Sequence, residues 1–230
     1  AAKDKLFNII AHDLRAPISG LISLHKTLIE NYGVLSPNET HELLIEILDY
    51  AIQSSNLLEN LLQWSRTQSG TIPFKPELVD IFEVVQASKV INEPNAKKKQ
   101  ISIVNLVPEG SYSLLDRNMI TTVFRNLISN AVKFTNPGGR VQIDLKENEN
   151  DYEIVVSDDG VGMSQEQMER LFKIGEYIST TGTANEKGSG LGLILCKEFV
   201  EKNQGTLRVE SKLGEGSKFI INLPKTTPQI

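Results

Sequence analysis

Four short stretches of this 230-residue chain carry side chains that could do chemistry. The run "NLISNAVKF" sets Asn126, Asn130 and Lys133 at helical spacing, on one face. Two carboxamides and an ammonium so placed could hold a phosphate chain and a hydrated Mg²⁺, an ion that takes oxygen ligands, keeps waters and shares its substrate's phosphates. The same spacing also fits a polar, exposed helix face. In "SDDGVGM", Asp158 ends an apolar run, where a carboxylate could accept from an exocyclic amine. Gly160 and Gly162 would let a flat ring approach the backbone, although Asp-Gly after a strand is also simply a turn. "KGSGLGL" opens a helix, so Gly188, Gly190 and Gly192, with Leu191 among them, would present backbone N–H groups at the positive end of a helix dipole. Its spacing is neither the phosphate-loop pattern nor a good dinucleotide fingerprint, since no strand leads into it. Finally, "FNIIAHDLRAPIS" sets His12 beside Asp13 on a helical pattern that also contains Pro17. A proline inside a helix removes a hydrogen bond and costs roughly 3 kcal/mol, so this segment asks what its imidazole is for.

Hydrophobic period and punctuation predict the elements that position these groups. Residues 4–31 repeat apolar side chains at helix period from Leu6 to Ile29. Gly33 suits a helix end, and "SPNE" is a start signal, with Ser36 as cap, Pro37 in the first turn and Glu39 reaching back. A second helix carries Leu44, Ile47, Leu48, Ala51, Leu58, Leu61 and Leu62 on one side and fades near Gly70, Pro73 and Pro76. Two helices alone cannot bury so wide a stripe, which predicts a homodimer whose paired hairpins make a four-helix bundle. From Leu78 the pattern becomes mixed. Asp80 and Glu83 can cap a helix to about Lys98, and a strand lies at 101–107. Asp116 starts a helix through Phe134, and "RVQIDLKE" and "YEIVVSD" make a hairpin across "NEND". Ser164 and Gln167 cap a short helix over 165–172. A Gly- and Thr-rich stretch from Gly175 to Gly190 is irregular, as a lid over a ligand would be. A helix from Leu191, ending at Gly205, and two strands close the chain. This order predicts a layered α/β domain with helices on one sheet face. The expected organisation is a hairpin at 1–70, a linker at 71–77 and the α/β domain at 78–230.

A net charge of −5 gives no sign of a nucleic-acid partner, and the basic run Lys97–Lys99 reads as the solvated end of a helix. One cysteine, Cys196, excludes an internal disulfide; in its apolar run it reads as a core residue in a reducing compartment. No apolar run approaches the roughly 18 residues of a membrane span, and no signal peptide is visible. The chain opens inside a helical pattern, so we expect a soluble cytoplasmic fragment, with a membrane anchor or sensor conceivable upstream.

Taken together, these motifs resemble the histidine kinases of two-component signalling over nearly the whole chain. "FNIIAHDLRAPI" looks like the H box, "NLISNAVKFT" the N box, "DDGVGM" the G1 box, "LF" at 171–172 the F box and "GSGLGL" the G2 box. The resemblance implies a dimerisation and histidine-phosphotransfer hairpin followed by the Bergerat-type ATP-binding α/β sandwich of GHKL ATPases. It makes His12 the phosphoacceptor and Asp13 the acceptor and general base at its Nδ1. Asp158 would bind the adenine amino group, Asn130 would help hold Mg²⁺, Asn126 and Lys133 would line the phosphates, and Phe134 would pack near the adenine. Gly188, Gly190 and Gly192 would hinge and cap the lid. Pro17 fits the bent helix of the family. ATP and Mg²⁺ are the implied cofactors, and the implied partner is a response-regulator receiver domain, absent from this sequence, docking near His12.

One departure stands out. Many family members carry Thr or Asn four positions after the histidine, to orient a water that dephosphorylates the partner; here it is Ala16, which implies weak phosphatase activity. Two rival readings differ in testable ways. A chaperone- or mismatch-repair-type GHKL ATPase would need a glutamate where this chain has Asn126. A degenerate kinase serving as a dimeric scaffold would be expected to lack Asp158 or Asn130.

Overall fold

The computed structural model describes residues 2–68, 73–173, 181–184, 186 and 191–226 and divides into two compact units, Ala1–Ile72 and Pro73–Ile230. The first is a helical hairpin of α1 (Ala2–Glu30) and α2 (Pro37–Gln68). Its turn is built as the sequence predicts. Gly33 takes a left-handed φ of 85°. The Glu39 carboxylate accepts from the Ser36 N–H at 2.8 Å, and the Glu39 N–H donates back to Ser36 Oγ at 3.3 Å. α1 is helical on both sides of Pro17. A Cβ on Gly20 would lie 2.8 Å from the Tyr50 ring, so this glycine lets the helices close together. The hairpin leaves Ile18, Ile22, Leu44, Leu48, Ile52, Leu58 and Leu62 exposed.

In the second unit, β1 (Glu77–Asp80) leads into α3 (Ile81–Lys98), β2 (Ser102–Asn105), β3 (Tyr112–Leu115) and α4 (Arg117–Phe134). β4 (Arg140–Glu147), β5 (Asp151–Asp158), α5 (Gln165–Arg170), α6 (Leu191–Lys202), β6 (Thr206–Lys212) and β7 (Gly216–Pro224) follow. The main sheet runs β2-β4-β5-β7-β6, parallel only between β2 and β4. Alternation along β4 and β5 sorts its faces. Val141, Ile143, Ile154 and Val156 are buried, together with Phe124, Leu127 and Ile128 of α4 and Leu195 of α6. The intervening Gln142, Asp144, Glu153 and Ser157 line an open polar groove. The helices thus cover one sheet face, as expected.

Caps set the helix ends. Asp80 accepts from the Phe82 N–H at 3.0 Å, and Asp116 accepts from the Met119 N–H at 3.1 Å and the Lys75 N–H at 3.0 Å. Ser164 and Gln167 form the predicted capping box. Cys196 is buried, as read from its apolar run. The strand expected at 101–107 shortens to Ser102–Asn105, and the helix expected over 165–172 ends at Arg170. Two strands were not foreseen: β1 and β3 pair with each other, Glu77 opposite Leu115. Each has four residues, too few to display a period.

The basic run needs a correction. Lys97 and Lys98 are exposed, but Lys99 is buried. Gln100 adopts a left-handed φ of 56°, and this turn into β2 swings Lys99 inward rather than leaving it on the solvated helix end.

Candidate active site

α4 is the element to which the motifs converge. Asn126, Asn130, Lys133 and Phe134 are all half-buried along it. Asp158 closes β5, held between Val141 of β4 and Ser217 of β7. The turn after it is wedged between two neighbours. A Cβ on Gly160 would sit 2.2 Å from the Phe134 carbonyl oxygen, and the Val161 N–H donates to that oxygen at 3.1 Å. Gly162 has a φ of 63°, and a Cβ there would meet the Lys212 carbonyl at 2.0 Å. These glycines are therefore required by backbone packing whether or not a ring lies against them. At the other end of the site, Gly192 in the first turn of α6 faces the Asn126 carboxamide, with room for a Cβ 3.6 Å from it. Gly188 and Gly190 lie outside the described residues, as does most of the stretch expected to be a lid. Nor are the side chains of His12, Asp13 and Leu191 described, although their backbones are helical.

The electrostatics are those of a site made to receive a ligand. Burial raises the Asp158 carboxyl to about 6, helped by the charge of Asp159 and opposed by backbone N–H bonds from Gly160 and Ser217. The Gly160 N–H lies 3.0 Å from Asp158 Oδ1. Burial lowers the Lys133 ammonium; Glu186 opposes this shift and Lys99 adds to it. Lys133 Nζ stands 4.7 Å above the Phe134 ring, a favourable cation–π distance. Asn126 Nδ2 is buried with no hydrogen-bond partner among the described residues. Cys196 Sγ is near enough to feel that amide, but outside hydrogen-bond geometry; its thiol is pushed up to about 12 by burial. An unpaired buried donor usually costs about 1–3 kcal/mol, so the Asn126 amide is a donor placed to meet an anion, beside the half-buried Lys133 ammonium and Asp158 carboxyl. Among the described residues no cluster of His, Cys, Asp and Glu could cage a metal ion. The amide oxygen of Asn130 fits instead an ion that draws most of its ligands from phosphates and waters.

Sequence reading missed Lys99, Thr183 and Glu186. Lys99 Nζ donates to the carbonyls of Val132 at 2.8 Å and Lys133 at 2.9 Å, to Thr183 Oγ1 at 2.6 Å and to Glu186 Oε1 at 3.1 Å. The only available signal was the position of Lys99 just ahead of a strand.

Comparison with known proteins accords with these features. Residues 2–70 match the His Kinase A (phospho-acceptor) domain, and residues 115–227 match the Histidine kinase-, DNA gyrase B-, and HSP90-like ATPase family. Sensor protein SrrB of Staphylococcus aureus (strain N315) is 30% identical over 224 residues, 97% of this chain and 38% of SrrB. The chain thus spans well under half the length of such relatives. The Acinetobacter baumannii histidine kinase AdeS has the same fold, with a TM-score of 0.72 at 24% identity over 94% of this chain and 98% of that one. Histidine kinase ThkA, solved in complex with response regulator protein TrrA, gives a TM-score of 0.66 at 20% identity over 94% of this chain and 60% of that one. Carrying a phospho-acceptor domain followed by this ATPase domain, the chain belongs to the histidine kinases of two-component signalling.

Proposed function

We propose that this chain is the ATP-dependent catalytic core of a protein histidine kinase: it phosphorylates its own His12 and passes the phosphoryl group to an aspartate of a response-regulator receiver domain. One observation carries the nucleotide half. Asp158, Lys133 and the unpaired Asn126 amide, from two separated motifs, stand along and beside α4, and their chemistry suits an adenine amine and a phosphate chain. In this reading Asp158 accepts from the exocyclic amine of adenine, which selects it over a ring bearing a carbonyl there. Phe134 packs near the base, while Asn126 and Lys133 orient the phosphates. Gly160 and Gly162 shape the floor, and Gly188, Gly190, Leu191 and Gly192 close the phosphate end. Asn130 helps hold Mg²⁺, which supplies charge neutralisation on the phosphates when bound.

His12 supplies the nucleophile. Neutral imidazole presents a lone pair at Nε2 when its proton rests on Nδ1, and Asp13 holds that tautomer. An N–P bond forms to the γ-phosphorus as its bond to the β–γ bridging oxygen breaks, and ADP leaves. Asp13 takes up the Nδ1 proton or stabilises its charge. The receiver's carboxylate then accepts the phosphoryl group and frees the imidazole. ThkA was solved bound to a response regulator, and a similar partner docking near His12 is our reading here.

The exposed apolar side of the hairpin supports a homodimer in which two hairpins form a four-helix bundle. Residues 1–70 would then be the dimerisation and phosphotransfer domain, 71–77 the linker and 78–230 the catalytic domain. A cytoplasmic setting suits this role. Among the described residues no helix is long and apolar enough to cross a membrane.

The test is a two-step labelling. The chain should take label from γ-labelled ATP, and chase with a receiver domain should move it to an acyl phosphate that hydroxylamine cleaves. Label released only as inorganic phosphate, with no protein-bound stage, would favour a simple ATPase.

A further inference from the structure

Lys99 is a buried cation that the proposed chemistry does not use. Its side chain is 8% exposed, and its ammonium has four acceptors within 3.1 Å. Two of these, the Val132 and Lys133 carbonyls, are among the last in α4, where the helix has no partners of its own and its dipole is negative. The other two, Thr183 Oγ1 and Glu186 Oε1, come from a segment more than eighty residues away in sequence. Further bonds fix that segment. The Thr183 N–H donates to the Lys133 carbonyl at 3.1 Å, Thr183 Oγ1 to the Thr135 carbonyl at 2.6 Å and the Gly182 N–H to the Glu186 carbonyl at 2.8 Å. Gly182 lies so close to Lys133 that a Cβ would come 2.6 Å from Lys133 Cγ.

We infer that Lys99 is a positioning residue of the nucleotide site, joining Thr183 and Glu186 to the last turn of α4 and thereby fixing the stem of Lys133. The inference rests on the proposed function, since it takes Lys133 as a ligand of the phosphates. The next carbonyl of the same turn, that of Phe134, is held by the Val161 N–H. Lys99 holds the two carbonyls before it. Lys133 lies between the Gly182 backbone and the Phe134 ring. The charge pattern agrees. Lys99 disfavours the Lys133 ammonium and Glu186 favours it, so Glu186 left without Lys99 would draw Lys133 toward itself and away from a phosphate.

The experiment compares the parent with Lys99→Met, Glu186→Gln and the double variant. Glu186 is partly exposed, so Glu186→Gln should fold even if Lys99→Met does not. Two readouts are needed. In nucleotide-free protein, amide exchange at Gly182, Thr183 and Ala184 should quicken at least several-fold in Glu186→Gln. In autophosphorylation, KM for ATP should rise about tenfold with kcat changed far less, and the double variant should be no worse than the poorer single one, because one contact is being removed twice. Unchanged exchange and unchanged KM in folded Glu186→Gln would overturn the inference, as would additive losses in the double variant. A parent that binds no ATP would bring down the proposed function and this inference with it. A parent that binds, matched by a Glu186→Gln that binds equally well, would bring down this inference alone.

Discussion

Replacing Asp158 by asparagine should make the empty fold more stable and the kinase worse. The carboxyl's pKa rises from 3.8 to about 6, and burial is the largest cause. At about 1.4 kcal/mol per unit, the ionised form weighs on the ligand-free fold by about 3 kcal/mol. The folded chain holds this proton more tightly than the unfolded chain. Stability should therefore fall as pH rises from the unfolded value of 3.8 through about 6, and stay lower above it. Asp158→Asn keeps the shape and an acceptor oxygen for the Gly160 N–H but has no charge to desolvate. In urea denaturation at neutral pH it should gain up to about 3 kcal/mol over the parent, and the gain should vanish at about pH 4. Binding reports the other side of the balance. Only the ionised carboxylate accepts from the amine in full, so ATP affinity should drop about tenfold per unit below about pH 6. Phosphate titration contributes to that slope in both proteins, so the informative quantity is the difference between them. Equal pH slopes of ATP affinity in parent and Asp158→Asn, or an Asp158→Asn less stable than the parent at neutral pH, would show that the buried charge of Asp158 is not what sets this balance.

Other substitutions separate packing from chemistry. Gly162→Ala would place a Cβ 2.0 Å from the Lys212 carbonyl at a φ of 63°; a loss of about 3 kcal/mol or more in thermal or chemical denaturation is expected. Gly192→Ala has ordinary room beside Asn126, so its melting temperature should hold or rise, while KM for ATP increases because the backbone there is to meet phosphate. Ile22→Glu combined with Leu48→Glu sets charge on the uncovered side of the hairpin. With each such apolar side chain worth about 1.5–3 kcal/mol on full burial, sedimentation should show monomer for this variant and dimer for the parent. Ala16→Thr, at an exposed position of α1, should raise dephosphorylation of a purified phospho-receiver several-fold; a parent already as active as Ala16→Thr would remove the case for weak phosphatase activity.

Much of the architecture could be read locally. The hairpin declares itself because Ser36, Pro37 and Glu39 punctuate it and the apolar period runs on either side, and the structure makes that capping box. α4 is legible from Asp116, its cap, and from a single polar strip on an otherwise apolar helix. What stayed hidden depends on partners distant in sequence. β1 and β3 exist because Glu77 finds Leu115. Lys99 looks like its exposed neighbours until Gln100 turns the chain and offers it the end of α4. In the sequence Gly160 and Gly162 suggest room for a ring; in the structure they make room first for the Phe134 and Lys212 carbonyls. The family resemblance could name Asn126 and Asp158, but not the unpaired amide of one or the raised pKa of the other, because both follow from burial.

The claim that His12 receives the phosphoryl group is tested most directly by incubating the chain with γ-labelled ATP and Mg²⁺, beside His12→Gln and Asp158→Ala. The parent should carry protein-bound label that survives alkali and is lost in acid, and neither variant should carry label. Label retained by His12→Gln would contradict that claim.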